Sequence, residues 1–184
     1  PVDARWTLVH ATHLDDGEVQ DIAGSGATVA ICTTTEANLG DGLFPLRDYL
    51  DAGGRWGVGS DSNSSVDPVE ELRWLEYGQR LRAQRRNIAS SMRVPSVGST
   101  LLNGAVASAA DSTGFNQSDV IVLDAAILAG ATEGDVIDRW IFSGNRPLVR
   151  DVEVAGARVV EDGRHRDREG IAARYREAMK VLLA

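Results

Sequence analysis

Short apolar runs alternate with amphipathic stretches along the first part of the chain. Three runs have the length of buried strands, and the stretches between them show helical spacing and glycine stops. The predicted strands are TLVHAT (7–12), TVAICT (28–33) and RWGVGSD (55–61). The predicted helices are DDGEVQDIAGSG (15–26) and FPLRDYLDAGG (44–54), and TTEANLGDG (34–42) is predicted to be a turn-rich loop. Strands that are apolar on both faces and alternate with helices indicate parallel βα units covered on both sides.

A long helix is predicted after the third strand. Asp67 is a suitable N-cap and Pro68 suits a first turn, so the helix should run from about residue 68 to about residue 91. Glu70 and Glu71 lie in its first turn, where the helix dipole favours acidic side chains. After about residue 94 small residues become frequent. The elements predicted there are a small-residue helix, a strand at 119–125, a helix at 133–142, two short strands at 149–163 and an amphipathic terminal helix.

Composition narrows the range of partners and locations. The net charge of −8, from 27 acidic against 19 basic residues, argues against binding to nucleic acid or to an anionic membrane. The single cysteine, Cys32, excludes an internal disulfide. The sequence lacks an apolar run of membrane-spanning length and a signal-like start, so a cytoplasmic location is expected. A strand that begins almost at the first residue is typical of a piece of a larger chain.

Polar side chains follow each of the three predicted strands. In parallel βα folds, the carboxyl ends of the strands meet at one crevice, which usually holds the active site. The residues at these ends are His10, Glu36, Asn38, Asp61, Ser62 and Asn63. A histidine and an aspartate facing one crevice suit metal-assisted hydrolysis, in which the carboxylate binds metal or accepts a proton. The residues alone leave a structural alternative open, because an aspartate often caps a turn and a strand histidine is often a hydrogen-bonded core residue.

The other candidates also have two interpretations. Glu36 and Asn38 either shape the crevice or brace their loop, since both residue types occur in turns. Ser62 and Asn63 either contact a substrate carboxylate or satisfy backbone groups after the strand. Cys32 is expected to be an inert core residue, because no basic neighbour in the sequence lowers its pKa.

Most of the chain resembles a known enzyme family. The segments LVHATHLDDGEVQDIAGSGATVAICTTTEANLGDGLFPL, GGRWGVGSDSNSS and EELRWLEYGQRLRAQRRN resemble the carboxyl-terminal half of the N-formimino-L-glutamate deiminases, in the amidohydrolase superfamily. WIFSGNRPLVRDVEVAGARVVEDGRH resembles the end of the small β-sandwich domain of that superfamily. The resemblance implies an α/β fold: the C-terminal part of a (β/α)8 TIM-type barrel, with about three βα units, part of a small β-sandwich domain and a C-terminal helix. The implied domains are barrel (1–115), sandwich (116–165) and terminal helix (166–184).

The resemblance also assigns roles to two residues. His10 matches a family histidine that orients and polarises the reacting group of the substrate. Asp61 matches a family aspartate that binds the metal and takes a proton from the metal-bound water. One divalent metal ion, zinc, is implied. Most of its ligands should lie outside this chain, which lacks the H-x-H pair, the further histidine and the proton-shuttling glutamate of the family site.

The implied substrate is N-formimino-L-glutamate, which the family hydrolyses to N-formyl-L-glutamate and ammonia. Glu36, Asn38, Ser62 and Asn63 are the candidates for substrate contacts. The implied protein partners are the missing amino-terminal half and, by analogy, a second copy in a homodimer. This portion alone should be inactive. Two alternatives stay open: an aminohydrolase of the guanine or S-adenosylhomocysteine deaminase type, and a non-catalytic remnant that acts as an interaction module.

Overall fold

The computed structural model describes residues 1–114 and 118–183, which group into two units. The first unit contains Pro1–Phe115 and Gly130–Gly144, and the second contains Asn116–Ala129 and Asn145–Ala184. The predicted domain boundary between residues 115 and 116 lies outside the described residues.

A parallel three-stranded sheet forms the centre of the first unit. Its strands are β1 (Thr7–Val9), β2 (Thr28–Ile31) and β3 (Arg55–Val58), in the order β1-β2-β3. Both pairs of neighbours are parallel, and Thr28 pairs with Thr7 on one side and Arg55 on the other. The prediction of consecutive parallel βα units is confirmed. The strands are shorter than predicted, and the first ends at Val9 rather than Thr12.

Helices follow each strand. The first two connections contain α1 (Asp16–Ser25), α2 (Thr33–Leu39) and α3 (Leu46–Asp51). The side chain of Asp15 accepts a hydrogen bond from Glu18 N, and the side chain of Glu18 accepts one from Asp15 N, which forms a capping box at the start of α1. The prediction of a loop at 34–42 is wrong at its beginning, because α2 continues to Leu39 and ends at Gly40 in a left-handed conformation.

Three further helices complete the first unit. They are α4 (Pro68–Ala83), α5 (Val97–Thr113) and α6 (Val136–Phe142). The start of α4 is as predicted, since Asp67 accepts a hydrogen bond from Val69 N and Pro68 occupies the first turn. Its end is earlier than predicted, because Gln84 adopts a left-handed backbone with φ 50°.

The core of the first unit lies between the sheet and its helices. The largest fully buried apolar side chains of this core are Trp56, Tyr49, Phe44, Ile31, Leu46, Leu75, Leu101 and Ile141. They come from two strands, from α3 and the segment just before it, and from α4 to α6, so the burial of apolar surface joins these elements and fixes the strand ends beside one another.

The second unit contains an antiparallel sheet and the last helix. The strands β4 (Val120–Leu123), β5 (Val149–Val154), β6 (Ala157–Glu161) and β7 (Arg164–His165) pair in chain order. The terminal helix α7 (Arg168–Leu182) was predicted from its amphipathic pattern. Across the described parts of both units, helices are too short or too polar to cross a membrane.

Candidate active site

The site lies at the carboxyl ends of the parallel strands. His10 directly follows β1, Cys32 directly follows β2, and Asp61 comes three residues after the end of β3. Backbone pairing continues just past the strands, because His10 N donates to Ala30 O at 2.9 Å and Gly59 N donates to Ile31 O at 3.1 Å. The three strand ends are therefore held side by side at one edge of the sheet.

The backbone at this edge is unusual. His10 and Ala11 have φ values of 66° and 53°, and Asp61 has a φ of 50°. Left-handed backbone at a residue other than glycine costs about 1 to 3 kcal/mol and persists only where the surrounding structure supports it. Both residues assigned chemistry by the family resemblance therefore have strained backbones.

His10 and Asp61 face one another. His10 Nε2 lies 3.9 Å from Asp61 Oδ2. The two side chains are 35% and 42% exposed, so a small molecule can reach both. The predicted convergence of these two residues at one crevice agrees with this distance.

Glu36 reaches the other side of the His10 ring. It lies in α2 and is 2% exposed. Its Oε1 accepts a hydrogen bond from Cys32 N at 2.8 Å and lies 3.4 Å from His10 Nδ1. Burial raises the pKa of Glu36, and the hydrogen bonds from Cys32 and His10 oppose that rise. Glu36 is thus a buried neighbour of His10.

Cys32 lies beside this pair, and its thiol is unreactive. Its thiol is buried, and this burial, with smaller contributions from nearby carboxylates, raises its pKa to about 12. Within the described ranges, His10, Cys32 and Glu36 are the one group of three potential metal ligands, with ligand atoms within 4.8 Å of one another. In this group the Glu36 oxygen already accepts the Cys32 N–H at 2.8 Å.

The remaining predicted residues fall into two groups. Asn38 and Ser62 are exposed. Asn63 is half-buried and uses both ends of its amide, donating to Thr34 O at 3.1 Å and accepting from Ser65 N at 2.8 Å. Asn63 therefore braces the loop after β3 against the start of α2.

Glu71 also supports the site, although it was not among the predicted site residues. This residue is buried in α4 and accepts hydrogen bonds from the backbone N–H of Thr34, at 3.0 Å, and from the Thr34 hydroxyl. It satisfies part of the first turn of α2, the helix that carries Glu36. The spacing of Glu71, Leu75 and Gln79 places them on one face of α4, which could have indicated that Glu71 is buried. All three are buried in the structure.

Several solved structures are similar to this one. The structure is similar to an amidohydrolase from Brucella melitensis, with a TM-score of 0.93 and 41% identity, covering 100% of this chain and 42% of that one. It is also similar to atrazine chlorohydrolase from Arthrobacter aurescens, solved with zinc, at a TM-score of 0.75 and 25% identity, covering 94% of this chain and 40% of that one. The chain thus resembles the C-terminal portion of an amidohydrolase of the TIM-barrel type.

Among curated proteins, the chain is similar to formimidoylglutamate deiminase of Pseudomonas aeruginosa. The two are 47% identical over 192 aligned positions, which cover 99% of this chain and 42% of that enzyme. A 5-methylthioadenosine/S-adenosylhomocysteine deaminase of Natronomonas pharaonis is 28% identical over 166 positions, covering 84% of this chain and 37% of that enzyme. No protein-family model matches the chain. The resemblance to the formiminoglutamate deiminases is confirmed, and the chain spans about two fifths of the length of these curated relatives.

Proposed function

We propose that this chain is the C-terminal portion of a zinc-dependent deiminase that hydrolyses N-formimino-L-glutamate to N-formyl-L-glutamate and ammonia. The observation that carries the proposal is the facing pair of His10 and Asp61, 3.9 Å apart and partly exposed at the carboxyl edge of the parallel sheet. The 47% identity to formimidoylglutamate deiminase supports the choice of substrate. In this proposal the portion is inactive without the rest of the enzyme.

Asp61 is the residue of this chain that would hold the zinc ion. Its carboxylate is open to solvent, and carboxylate oxygen is an ordinary zinc ligand. Its proximity to His10 fits a hydrolytic centre, and we assign the remaining ligands to the part of the enzyme outside this chain. When bound, zinc lowers the pKa of a water molecule to about 7 and so supplies a nucleophile at neutral pH.

The two residues then have separate tasks. The Asp61 carboxylate accepts the proton that the attacking water loses. His10, through Nε2, hydrogen-bonds to the reacting formimino group and orients it. The water oxygen bonds to the formimino carbon, both water protons pass to the leaving nitrogen, the bond between that nitrogen and the carbon breaks, and ammonia leaves. We assign substrate contacts to the exposed Asn38 and Ser62 and a supporting role to Asn63, whose amide already binds Thr34.

The wider organisation follows from the same proposal. The barrel portion consists of residues 1–115 and Gly130–Gly144. The other residues up to 165 belong to the small β domain, and residues 166–184 form the terminal helix. The grouping of the described residues into two units supports the separation of the barrel portion from the other residues. We further propose a homodimer in the cytoplasm, as is usual for such enzymes.

A second candidate is a deaminase of the S-adenosylhomocysteine type. The 28% identity to such an enzyme over 84% of this chain favours it as the alternative. The two candidates differ in substrate, since one acts on an acidic amino acid and the other on an aromatic base. They therefore predict different sources of released ammonia.

The test begins with the intact mass of the native protein that carries these residues. We expect a mass well above 19.7 kDa, bound zinc, and ammonia released from N-formimino-L-glutamate and not from S-adenosylhomocysteine. His10→Gln and Asp61→Asn should each lower kcat by about 100-fold to 10,000-fold, the usual contribution of a positioned proton-transfer group. Ser91→Ala, outside the site, is the control.

Three results would contradict the proposal. A native species of 19.7 kDa without ammonia release would favour the non-catalytic remnant. Ammonia from S-adenosylhomocysteine alone would favour the second candidate. Full activity in Asp61→Asn would remove the assigned role of this carboxylate.

A further inference from the structure

The two ring nitrogens of His10 have different carboxylate neighbours. Nε2 faces the exposed Asp61, and Nδ1 faces the buried Glu36 at 3.4 Å. The contact with Glu36 is longer than the usual 2.7–3.2 Å for an N–H···O hydrogen bond, as is common at catalytic groups before substrate binds. Each side of the imidazole is therefore matched to one carboxylate, of which only Asp61 is open to solvent.

The position of Glu36 is set by the backbone around it. Its Oε1 accepts a hydrogen bond from Cys32 N at 2.8 Å, at the point where β2 passes into α2. The first turn of α2 is held in turn by Glu71, which accepts from Thr34 N at 3.0 Å. A side chain that is 2% exposed and fixed at both its helix and its carboxylate end has little freedom to move away from His10.

The same oxygen determines which proton His10 carries. When Glu36 is ionised, its carboxylate has lone pairs only, so Oε1 accepts both the Cys32 N–H and a proton shared by His10 Nδ1. A hydrogen bond between them therefore needs the proton on Nδ1. In the neutral ring, Nε2 then has a free lone pair directed at the open side of the site.

We propose that Glu36 is a positioning residue for His10, which fixes the ring orientation and the Nδ1–H tautomer so that the Nε2 lone pair is presented to the substrate. The proposal rests on the proposed function for the role of His10. It replaces a substrate contact for Glu36, because the side chain is buried and both of its neighbours are protein groups. Removal of Glu36 should therefore change catalysis through His10 rather than substrate binding.

The first measurement is nitrogen-15 NMR of the full-length enzyme labelled at histidine, recorded at alkaline pH. The His10 signals are identified by their loss in His10→Gln. We expect a protonated Nδ1 and an unprotonated Nε2 in the unsubstituted enzyme and in Glu36→Gln, which keeps the acceptor oxygen. Glu36→Leu should show a mixture of tautomers. Glu71→Leu is the matched control, because it also removes a buried carboxylate bound to α2 but does not touch His10.

The second measurement is the kinetics of the same variants in the full-length enzyme. Glu36→Leu should lower kcat by about 10-fold to 100-fold, the usual loss for a group that orients a histidine of the site, with little change in KM. Glu36→Gln should recover most of this loss, and Glu71→Leu should retain more activity than Glu36→Leu.

Each outcome decides the proposal. An Nε2–H tautomer in the unsubstituted enzyme, or an unchanged tautomer in Glu36→Leu, would overturn it. A kcat loss in Glu36→Gln equal to that in Glu36→Leu would show that the acceptor oxygen is not what positions His10 and would also overturn it. Absence of deiminase activity in the unsubstituted enzyme would instead refute the proposed function, while the NMR result would still test the link between Glu36 and His10.

Discussion

The fully buried Glu76 provides the sharpest test of how this fold is stabilised. Its Oε1 accepts hydrogen bonds from Arg80 Nε at 2.8 Å and from Ile88 N at 2.9 Å, and its Oε2 accepts one from Ala89 N at 3.0 Å. Glu76→Gln keeps the size of the side chain and replaces one acceptor oxygen with an NH2 donor. If Oε1 keeps its partners, the NH2 group faces the N–H of Ala89, and that donor loses its partner.

The expected loss of stability follows from these contacts. A buried donor left without a partner costs about 1 to 3 kcal/mol, and hydrogen bonds to a charged acceptor are stronger than those to a neutral one. Because Glu76 is fully buried, water cannot replace the lost acceptor. We therefore expect Glu76→Gln to lower the free energy of unfolding by about 2 to 4 kcal/mol.

Urea unfolding followed by tryptophan fluorescence measures this loss. All four tryptophans lie in the first unit, which also contains Glu76, so the signal reports that unit. The control is Asp111→Asn, which removes an exposed ion pair with Arg55 and should change stability by less than about 1 kcal/mol. A Glu76→Gln midpoint within error of the unsubstituted chain, at equal m-value, would refute the reasoning.

Three further predictions concern other contacts. Gly98→Ala places a Cβ 2.8 Å from Asp138 N, so it should destabilise the first unit by about 1 to 3 kcal/mol in the same urea assay; an unchanged midpoint would contradict this. The raised pKa of Cys32 keeps its thiol protonated in the folded state, whereas the thiol of the unfolded chain ionises above pH 9.0. The free energy of unfolding should therefore fall by up to about 1.4 kcal/mol per pH unit between pH 9.0 and about pH 12. Urea midpoints against pH check this, and Cys32→Ala should flatten the curve; an equal slope in that variant would contradict the assignment. Asp15→Ala removes the cap it shares with Glu18 and should cost about 1 kcal/mol, seen as a lower Tm, whereas Asp16→Ala, next to the cap, should change Tm less.

The order of elements could be predicted because it depends on local patterns. Apolar runs of strand length, glycine stops and the Asp67 cap are readable from neighbouring residues alone. The helix α2 was not predicted because four of its seven residues, three threonines and an asparagine, are weak helix formers. Tertiary contacts support it: Glu71 binds its first turn, and Glu36 binds Cys32 N just before it.

The early end of α4 has a similar cause. Propensity alone allowed the helix to continue to about Ser91, but Glu76 accepts the backbone N–H groups of Ile88 and Ala89. These contacts turn the chain back along the helix, beginning at the left-handed Gln84. A hydrogen bond between residues twelve positions apart is not visible in a helical repeat.

Only part of the site could be predicted from the sequence. The rule that parallel strand ends converge is sufficient to bring His10 and Asp61 together, and it does not depend on side-chain detail. The buried contact between Glu36 and His10 depends on the packing of α2, and the left-handed backbone at His10 and Asp61 depends on how the loops are supported. Neither has a local pattern in the sequence.

The agreement between sheet order and chain order has a consequence for how the site forms. His10, Glu36 and Asp61 all belong to one continuous stretch that contains β1, β2 and β3 and little else besides their crossovers. Each strand pairs with the next one along the chain, so the entropy lost in closing the intervening loops is modest. The stretch can therefore fold as one cooperative segment, and amide exchange should show its strands gaining protection together. His10 and Asp61 then meet as a direct product of sheet formation, and Glu36 joins them once α4 packs against α2.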